Sequence, residues 1–182
     1  KDLRTLCQSE DVSLVDCDLL DREQVRLLGT DYEHIYHLAA IIGVRHVTER
    51  PYEVLADNVS MLTHMIDLAR SQKSLSRFLF SSTSEVYAGT LKHFEMSIPT
   101  PEDTPIAISD LAQARSSYMM SKIYGEALCR QSGIPYTIIR PHNFYGPRMG
   151  LSHVIPELLE RAHKAPDGGE LSVFSVGHRR KF

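Results

Sequence analysis

His34-Ile-Tyr-His-Leu-Ala-Ala40, Pro51-Tyr-Glu-Val-Leu-Ala-Asp-Asn-Val-Ser-Met-Leu-Thr-His-Met-Ile-Asp-Leu-Ala-Arg70 and Arg77-Phe-Leu-Phe-Ser-Ser82 decide the fold between them. The first and last are short, apolar and rich in β-forming residues, so they read as strands. The middle one repeats Leu55, Val59, Leu62, Met65, Ile66 and Ala69 at helical spacing, and Pro51 suits the first position of a helix. Strand, helix and strand without a hairpin turn make a parallel crossover unit.

Outward from that unit the alternation continues. Towards the N-terminus, Val12-Ser-Leu-Val-Asp-Cys17 reads as a buried strand, and Asp21 is placed to cap a short helix that runs through Leu28 and stops at Gly29. Towards the C-terminus, Ala88 to Asp110 is a long segment rich in proline, threonine and aspartate, of the kind that is functional or mobile. A helix from about Ser116 to Gly133, a strand at Ile134–Ile139, a loop to Ser152, a helix at His153–Lys164 and a short strand at Leu171–Ser175 complete the pattern. The fold class is α/β, a Rossmann-like doubly wound parallel sheet.

The bulk properties exclude several functions. A net charge of −3 with interspersed signs leaves no basic footprint for nucleic acid. No apolar run reaches the ~18 residues of a membrane span and no leader pattern opens the chain, so a cytoplasmic protein without a membrane partner is expected. The three cysteines, Cys7, Cys17 and Cys129, lack metal or redox spacing and read as reduced thiols. His34 and His37 lie three apart in a strand, hence on opposite faces, and no metal site is expected.

In an open parallel sheet, ligands collect at the carboxyl ends of the strands. Those ends carry Asp18, the His37–Ala40 run, Ser82-Thr-Ser-Glu85 and Arg140-Pro-His-Asn143. Tyr118 and Lys122 lie one helical turn apart and face the same rim. Lowering a phenol pKa from ~10 to about 7 takes roughly 4 kcal/mol, which a neighbouring ammonium and a cationic cofactor ring could supply together. Thr83 and Ser84 offer hydroxyls to a sugar or a proton relay. Glu85, if partly buried, is a carboxylate suited to acid-base work. Each of these residues alone has a plainer reading, because hydroxyls at strand ends commonly cap helices and a loop glutamate is usually solvated.

The ordered set His37-Leu-Ala-Ala40, Asn58-Val59, Ser81-Ser-Thr-Ser-Glu-Val-Tyr87, Tyr118-x-x-x-Lys122 and Arg140-Pro-x-Asn-x-Tyr-Gly-Pro-Arg148 resembles the extended short-chain dehydrogenase/reductases, in their NAD-dependent nucleotide-sugar epimerase/dehydratase branch. The resemblance implies an enzyme that binds NAD and a nucleotide-diphosphate sugar such as a UDP-sugar. Tyr118 would be the base, helped by Lys122, with Thr83, Ser84 and Glu85 completing the catalytic set. Asp18, Leu19, Leu38, Ala39, Ala40, Asn58, Ser81, Ser82, Arg140 and Pro141, with Tyr118 and Lys122, would line the cofactor. Asn143, His153, Val154, Val173, Phe174 and Arg180 would hold the substrate. Glu85, two residues after Thr83, favours a decarboxylase or 4,6-dehydratase over a 4-epimerase, the alternative. Arg115 also resembles a decarboxylase position. An inactive truncated Rossmann binding domain is the reading from another class.

The resemblance also implies a missing part. The first strand, the glycine-rich phosphate turn and the acidic residue that selects NAD over NADP should precede residue 12, so the chain is expected to be an internal fragment. Residues 1–150 would be a partial NAD-binding domain and 151–182 the start of a small substrate domain. The helices at 51–70 and 117–131 are expected to form a homodimer interface.

Overall fold

The computed structural model describes residues 9–142, 144–147, 149–151 and 153–173. The chain divides into two compact units, 1–140 and 141–182.

The first unit is built on a three-stranded sheet of β1 (His34–His37), β2 (Arg77–Ser81) and β3 (Tyr136–Ile139), in the order β1-β2-β3. Both pairings are parallel, with Tyr36 opposite Leu79 and Leu79 opposite Thr137. A short helix α1 (Arg22–Arg26) precedes β1. Helices α2 (Val44–Glu49) and α3 (Pro51–Arg70) cross from β1 to β2. A 3₁₀ turn (Ser84–Tyr87), α4 (Ala88–His93) and α5 (Ser116–Gln131) lead to β3. This is the parallel, Rossmann-like arrangement expected.

Alternation along the strands decides which face is covered. Ile35, Phe78 and Phe80 are buried and pack with Leu62, Ile66 and Ala69 of α3 and Cys129 of α5. On the other face Tyr36 stays 63% exposed. Each buried phenylalanine contributes roughly 1.5–3 kcal/mol. Gly125 lets α5 approach closely, since a Cβ there would lie 2.5 Å from the Phe80 ring and 2.8 Å from Leu62. On α3, Val54, Asn58, Met61, Leu62 and Ile66 are buried, leaving Leu55 and Val59 half-buried at the flank.

Asp21 caps α1 by accepting from the Glu23 and Gln24 amides, and Gly29 takes φ 115°, as the sequence predicts. Two expectations for this unit change. Residues 12–17 form no strand: Val12, Leu14 and Val15 are 41%, 82% and 61% exposed, and no described strand lies beside them to complete a ladder. The segment from Ala88 is not all loop, because its first turns form α4. Its glycine reads as a breaker but is required, since a Cβ at Gly89 would sit 1.8 Å from the Ala107 carbonyl oxygen.

In the second unit, α6 (Val154–Lys164) is an amphipathic helix with Glu157–Arg161 and Glu160–Lys164 pairs at 3.4 and 2.6 Å. Residues 171–173 carry no regular element, and 174–175 of the expected last strand lie outside the described residues. No described helix is long and apolar enough to cross a membrane.

Candidate active site

The ends of β1, β2 and β3 and the N-terminal half of α5 meet at one rim of the first unit. Lys122 reaches that rim from α5 with 4% exposure, and its Nζ donates to the Ser81 carbonyl at 2.7 Å. The ammonium also lies 5.0 Å from the Phe80 ring centre and 5.6 Å from that of Tyr118. Among the described residues no carboxylate pairs with it. Burial therefore pushes its pKa down to about 8. Tyr118, half-buried, is pushed the other way, first by burial and then by the charge of Glu85. The phenol is therefore protonated near neutrality, and a further positive charge beside it is needed before it can act as a base.

Ser82, Thr83, Ser84 and Glu85 follow directly from the end of β2. Thr83 Oγ1 accepts from the Glu85 amide at 3.3 Å and so caps the 3₁₀ turn. Glu85 is exposed, not partly buried as its acid-base reading requires, yet it lies close enough to Tyr118 to act on its titration. The turn thus brings Thr83, Ser84, Glu85, Tyr118 and Lys122 into one neighbourhood.

Several residues expected against a cofactor have their side chains engaged elsewhere. Asn58 accepts from the Ile41 amide at 2.7 Å and donates to the Ile41 carbonyl at 3.1 Å, so it fastens the loop leaving β1. Ser82 donates to Glu126 Oε1 at 2.7 Å. Arg140 grips both Glu126 oxygens, at 2.7 and 2.6 Å. Asp18 is exposed and accepts from the Leu20 amide at 3.0 Å, with Leu19 tied through its carbonyl to His64 Nδ1 at 2.9 Å. Leu38 and Ala39 stand exposed on the rim and Ala40 half-buried, as room for a flat ligand requires. A cleft of ≈ 400 Å³ lined by Ala40, Ile41, Ile42, Arg50 and Val54 opens beside them, without reaching Tyr118 or Lys122. Arg115 is exposed before α5, and Pro141 begins the second unit.

His153 and Val154 are exposed in the second unit, as is Val173. Asn143, Phe174 and Arg180 lie outside the described residues. Among the described residues no group of acidic, cysteine and histidine side chains could hold a metal ion.

Three residues at the rim receive no role of their own from the sequence. His37 is 4% exposed and stacks near Phe78 and Phe80 at 6.3 and 6.1 Å. Burial, and next the charge of Lys122, push its pKa down to about 4. Period-two alternation with Ile35 is the signal that places it inward. Glu126 is 3% exposed and, four residues after Lys122, shares its helix face. Tyr87 hydrogen-bonds to Arg140 through its hydroxyl and lies 4.9 Å from the guanidinium carbon by its ring.

The dinucleotide fit rests on these features. A buried ammonium fixed to a strand-end carbonyl, a phenol beside it and small residues at the exit of β1 suit the nicotinamide-ribose half of such a cofactor.

Comparison with known proteins gives the same direction. The model of the NAD dependent epimerase/dehydratase family matches residues 2–182. A UDP-N-acetyl-alpha-D-glucosaminuronate decarboxylase of Bacillus cytotoxicus is 29% identical over 177 residues, covering 93% of this chain and 51% of the relative. The dTDP-D-glucose 4,6-dehydratase of Homo sapiens is 28% identical over 162 residues, covering 87% and 44%. Among solved structures, UDP-glucuronic acid 4-epimerase from Bacillus cereus in complex with NAD matches with a TM-score of 0.73 at 23% identity, over 96% of this chain and 51% of that one. The chain spans about half the length of the curated relatives it matches.

Proposed function

The chain belongs to the NAD dependent epimerase/dehydratase family, and from that membership we propose that the protein modifies a nucleotide-diphosphate sugar through a 4-keto intermediate. The observation that carries this reading is the buried Lys122 ammonium, held 2.7 Å from the Ser81 carbonyl and set against the ring of Tyr118. Binding alone does not require the set of Thr83, Tyr118 and Lys122 together, and this disfavours the inactive truncated Rossmann reading.

Bound NAD would supply a hydride acceptor and a positive ring. Lys122 would hold the ribose of that group, and its ammonium with the ring's charge would favour the Tyr118 phenolate. Tyr118 takes the proton from the sugar hydroxyl, and Thr83 orients the same oxygen. Glu85 stands on the adjoining turn, exposed to whatever occupies the rim. Its spacing two residues after Thr83, and not its exposure, supports a second proton transfer at a neighbouring carbon, hence a decarboxylase or 4,6-dehydratase over a 4-epimerase. Asn143, His153, Val154, Val173, Phe174 and Arg180 are assigned to the nucleotide on the same reading, with a UDP-sugar as the substrate.

A homodimer through 51–70 and 117–131 is part of the proposal. Tyr52 of α3 and Tyr124 of α5 are 79% and 53% exposed, and Leu55, Val59 and Met120 lie half-buried beside them. A cytoplasmic location accords with the free Cys17 and Cys129.

The test replaces Tyr118 with Phe in the full-length protein. Turnover falls by about 10²–10⁴ if Tyr118 is the base, and unchanged turnover refutes the assignment. Weighing the products from UDP-glucuronate and from neutral nucleotide hexoses separates loss of carbon dioxide, loss of water and unchanged mass.

A further inference from the structure

A second polar cluster is buried in the first unit, and it is fastened to the same helix as the catalytic pair. Tyr118, Lys122 and Glu126 follow one another at four-residue intervals, so they form one stripe along α5. Lys122 is bound to the carbonyl of Ser81, and Glu126 to the hydroxyl of the next residue, Ser82, at 2.7 Å. Successive residues at the end of β2 are therefore clamped to successive turns of α5.

Arg140, where β3 ends, completes the clamp. Its Nε and terminal nitrogen donate to both oxygens of Glu126 at 2.7 and 2.6 Å. Its other terminal nitrogen donates to the Tyr87 hydroxyl and, at 2.8 Å, to the Glu102 carbonyl. Tyr87 is the last residue of the 3₁₀ turn that begins just after Thr83 and carries Glu85. One carboxylate thus joins the ends of β2 and β3, the turn and the catalytic helix.

We propose that Glu126 and Arg140 are positioning residues: their ion pair sets the Thr83–Glu85 turn against the face of α5 that carries Tyr118 and Lys122. The inference deepens the reading of Tyr118 as base and rests on it. Stability alone does not call for this arrangement, because apolar residues of similar volume often replace a buried ion pair without loss. What apolar side chains cannot supply is a two-pronged contact that fixes angle as well as distance. Misplacement of reacting groups by about 1 Å can cost ~10²-fold in rate.

The experiment uses the full-length protein with Glu126→Met and Arg140→Met combined, so that no buried charge is left unpaired. A positioning role predicts a thermal midpoint within about 4 °C of wild type, with kcat lower by about 10–100-fold and KM for the nucleotide sugar changed by less than about threefold. It also predicts that the limb of the kcat–pH profile that rises with Tyr118 ionisation moves to higher pH by about one unit, as the Lys122 charge loses its register. A folded double variant with wild-type kcat and pH profile overturns the proposal. If that variant does not fold, Ser82→Ala removes one strut without leaving a bare charge. It should lower kcat by about three- to tenfold, and an unchanged kcat overturns the proposal. Tyr118→Phe run alongside separates the two failures. Turnover unaffected by Tyr118→Phe refutes the base assignment and this inference with it, whereas turnover lost there but intact in the clamp variants refutes this inference alone.

Discussion

Lys122 and Arg140 are two cations drawn into the same unit and treated in opposite ways. Arg140 meets Glu126 through two nitrogens, and that contact raises its already high pKa. Glu126 is affected in turn: burial works to raise its carboxyl, but the hydrogen bonds from Arg140 and Ser82 and the Arg140 charge outweigh this, and its pKa falls. Lys122 meets a carbonyl and two aromatic rings, and its pKa falls to about 8. The difference separates a compensated charge, held far from titrating, from an uncompensated one, whose titration is drawn down towards neutrality at a cost in stability.

The largest effect comes from breaking the compensated side. Arg140→Met leaves Glu126 buried without its cation and removes partners of Tyr87 and Glu102, so urea unfolding should show a loss of about 3–5 kcal/mol. A loss under about 1 kcal/mol would mean that Glu126 finds water or Arg130, whose guanidinium lies 3.9 Å away and is 53% exposed.

The uncompensated side should respond with the opposite sign. Lys122 titrates at about 8 when folded against 10.5 when free, so below pH 8 both states carry the ammonium but only the folded chain carries it out of water. Stability from this group rises as pH goes from 8 to 10.5, where the unfolded chain binds more protons. Lys122→Met should therefore stabilise at pH 7 by about 1–3 kcal/mol, with the gain fading towards pH 10, while turnover of the full-length protein falls by about 10²-fold or more. Destabilisation at pH 7 would show that the hydrogen bond to Ser81 outweighs the desolvation of the ammonium.

How far this contrast was legible in the sequence follows from its periodicities. The β1–α3–β2 crossover was visible because strand and helix periods are distinct there, and the Tyr118–Lys122 stripe because four-residue spacing fixes a helix face. The same spacing reaches Glu126, but a glutamate reads as solvated until an arginine on another strand is known to meet it. Arg140 was assigned to a ligand for the same reason: the sequence shows that it sits at the rim and not that Glu126 already occupies it. The strand expected at residues 12–17 failed because β-branched content reports propensity, whereas a strand also needs a neighbour. Helix α2 was missed because Val44, Val47 and Thr48 are poor helix formers.

The smallest effect tests how far the Lys122 environment extends. His37 shares the Phe80 surface with the ammonium, and burial, then Lys122, hold its pKa at about 4 against an ordinary 6.5. As pH falls through 6.5 the unfolded chain takes up a proton that the folded chain refuses until about 4, so stability declines across that window and is flat above it. At pH 5 the decline from this residue should be about 2 kcal/mol relative to pH 7.5. His37→Phe keeps an aromatic ring between β1 and its neighbours but has nothing to titrate. Its unfolding free energies at pH 7.5 and pH 5 should lie closer together than those of the parent by that amount. An unchanged spacing would place the acid sensitivity elsewhere. A spacing that narrows just as far in Lys122→Met, with His37 retained, would show that the ammonium, more than burial, keeps the imidazole neutral, and that the uncompensated charge governs the rim as far as β1.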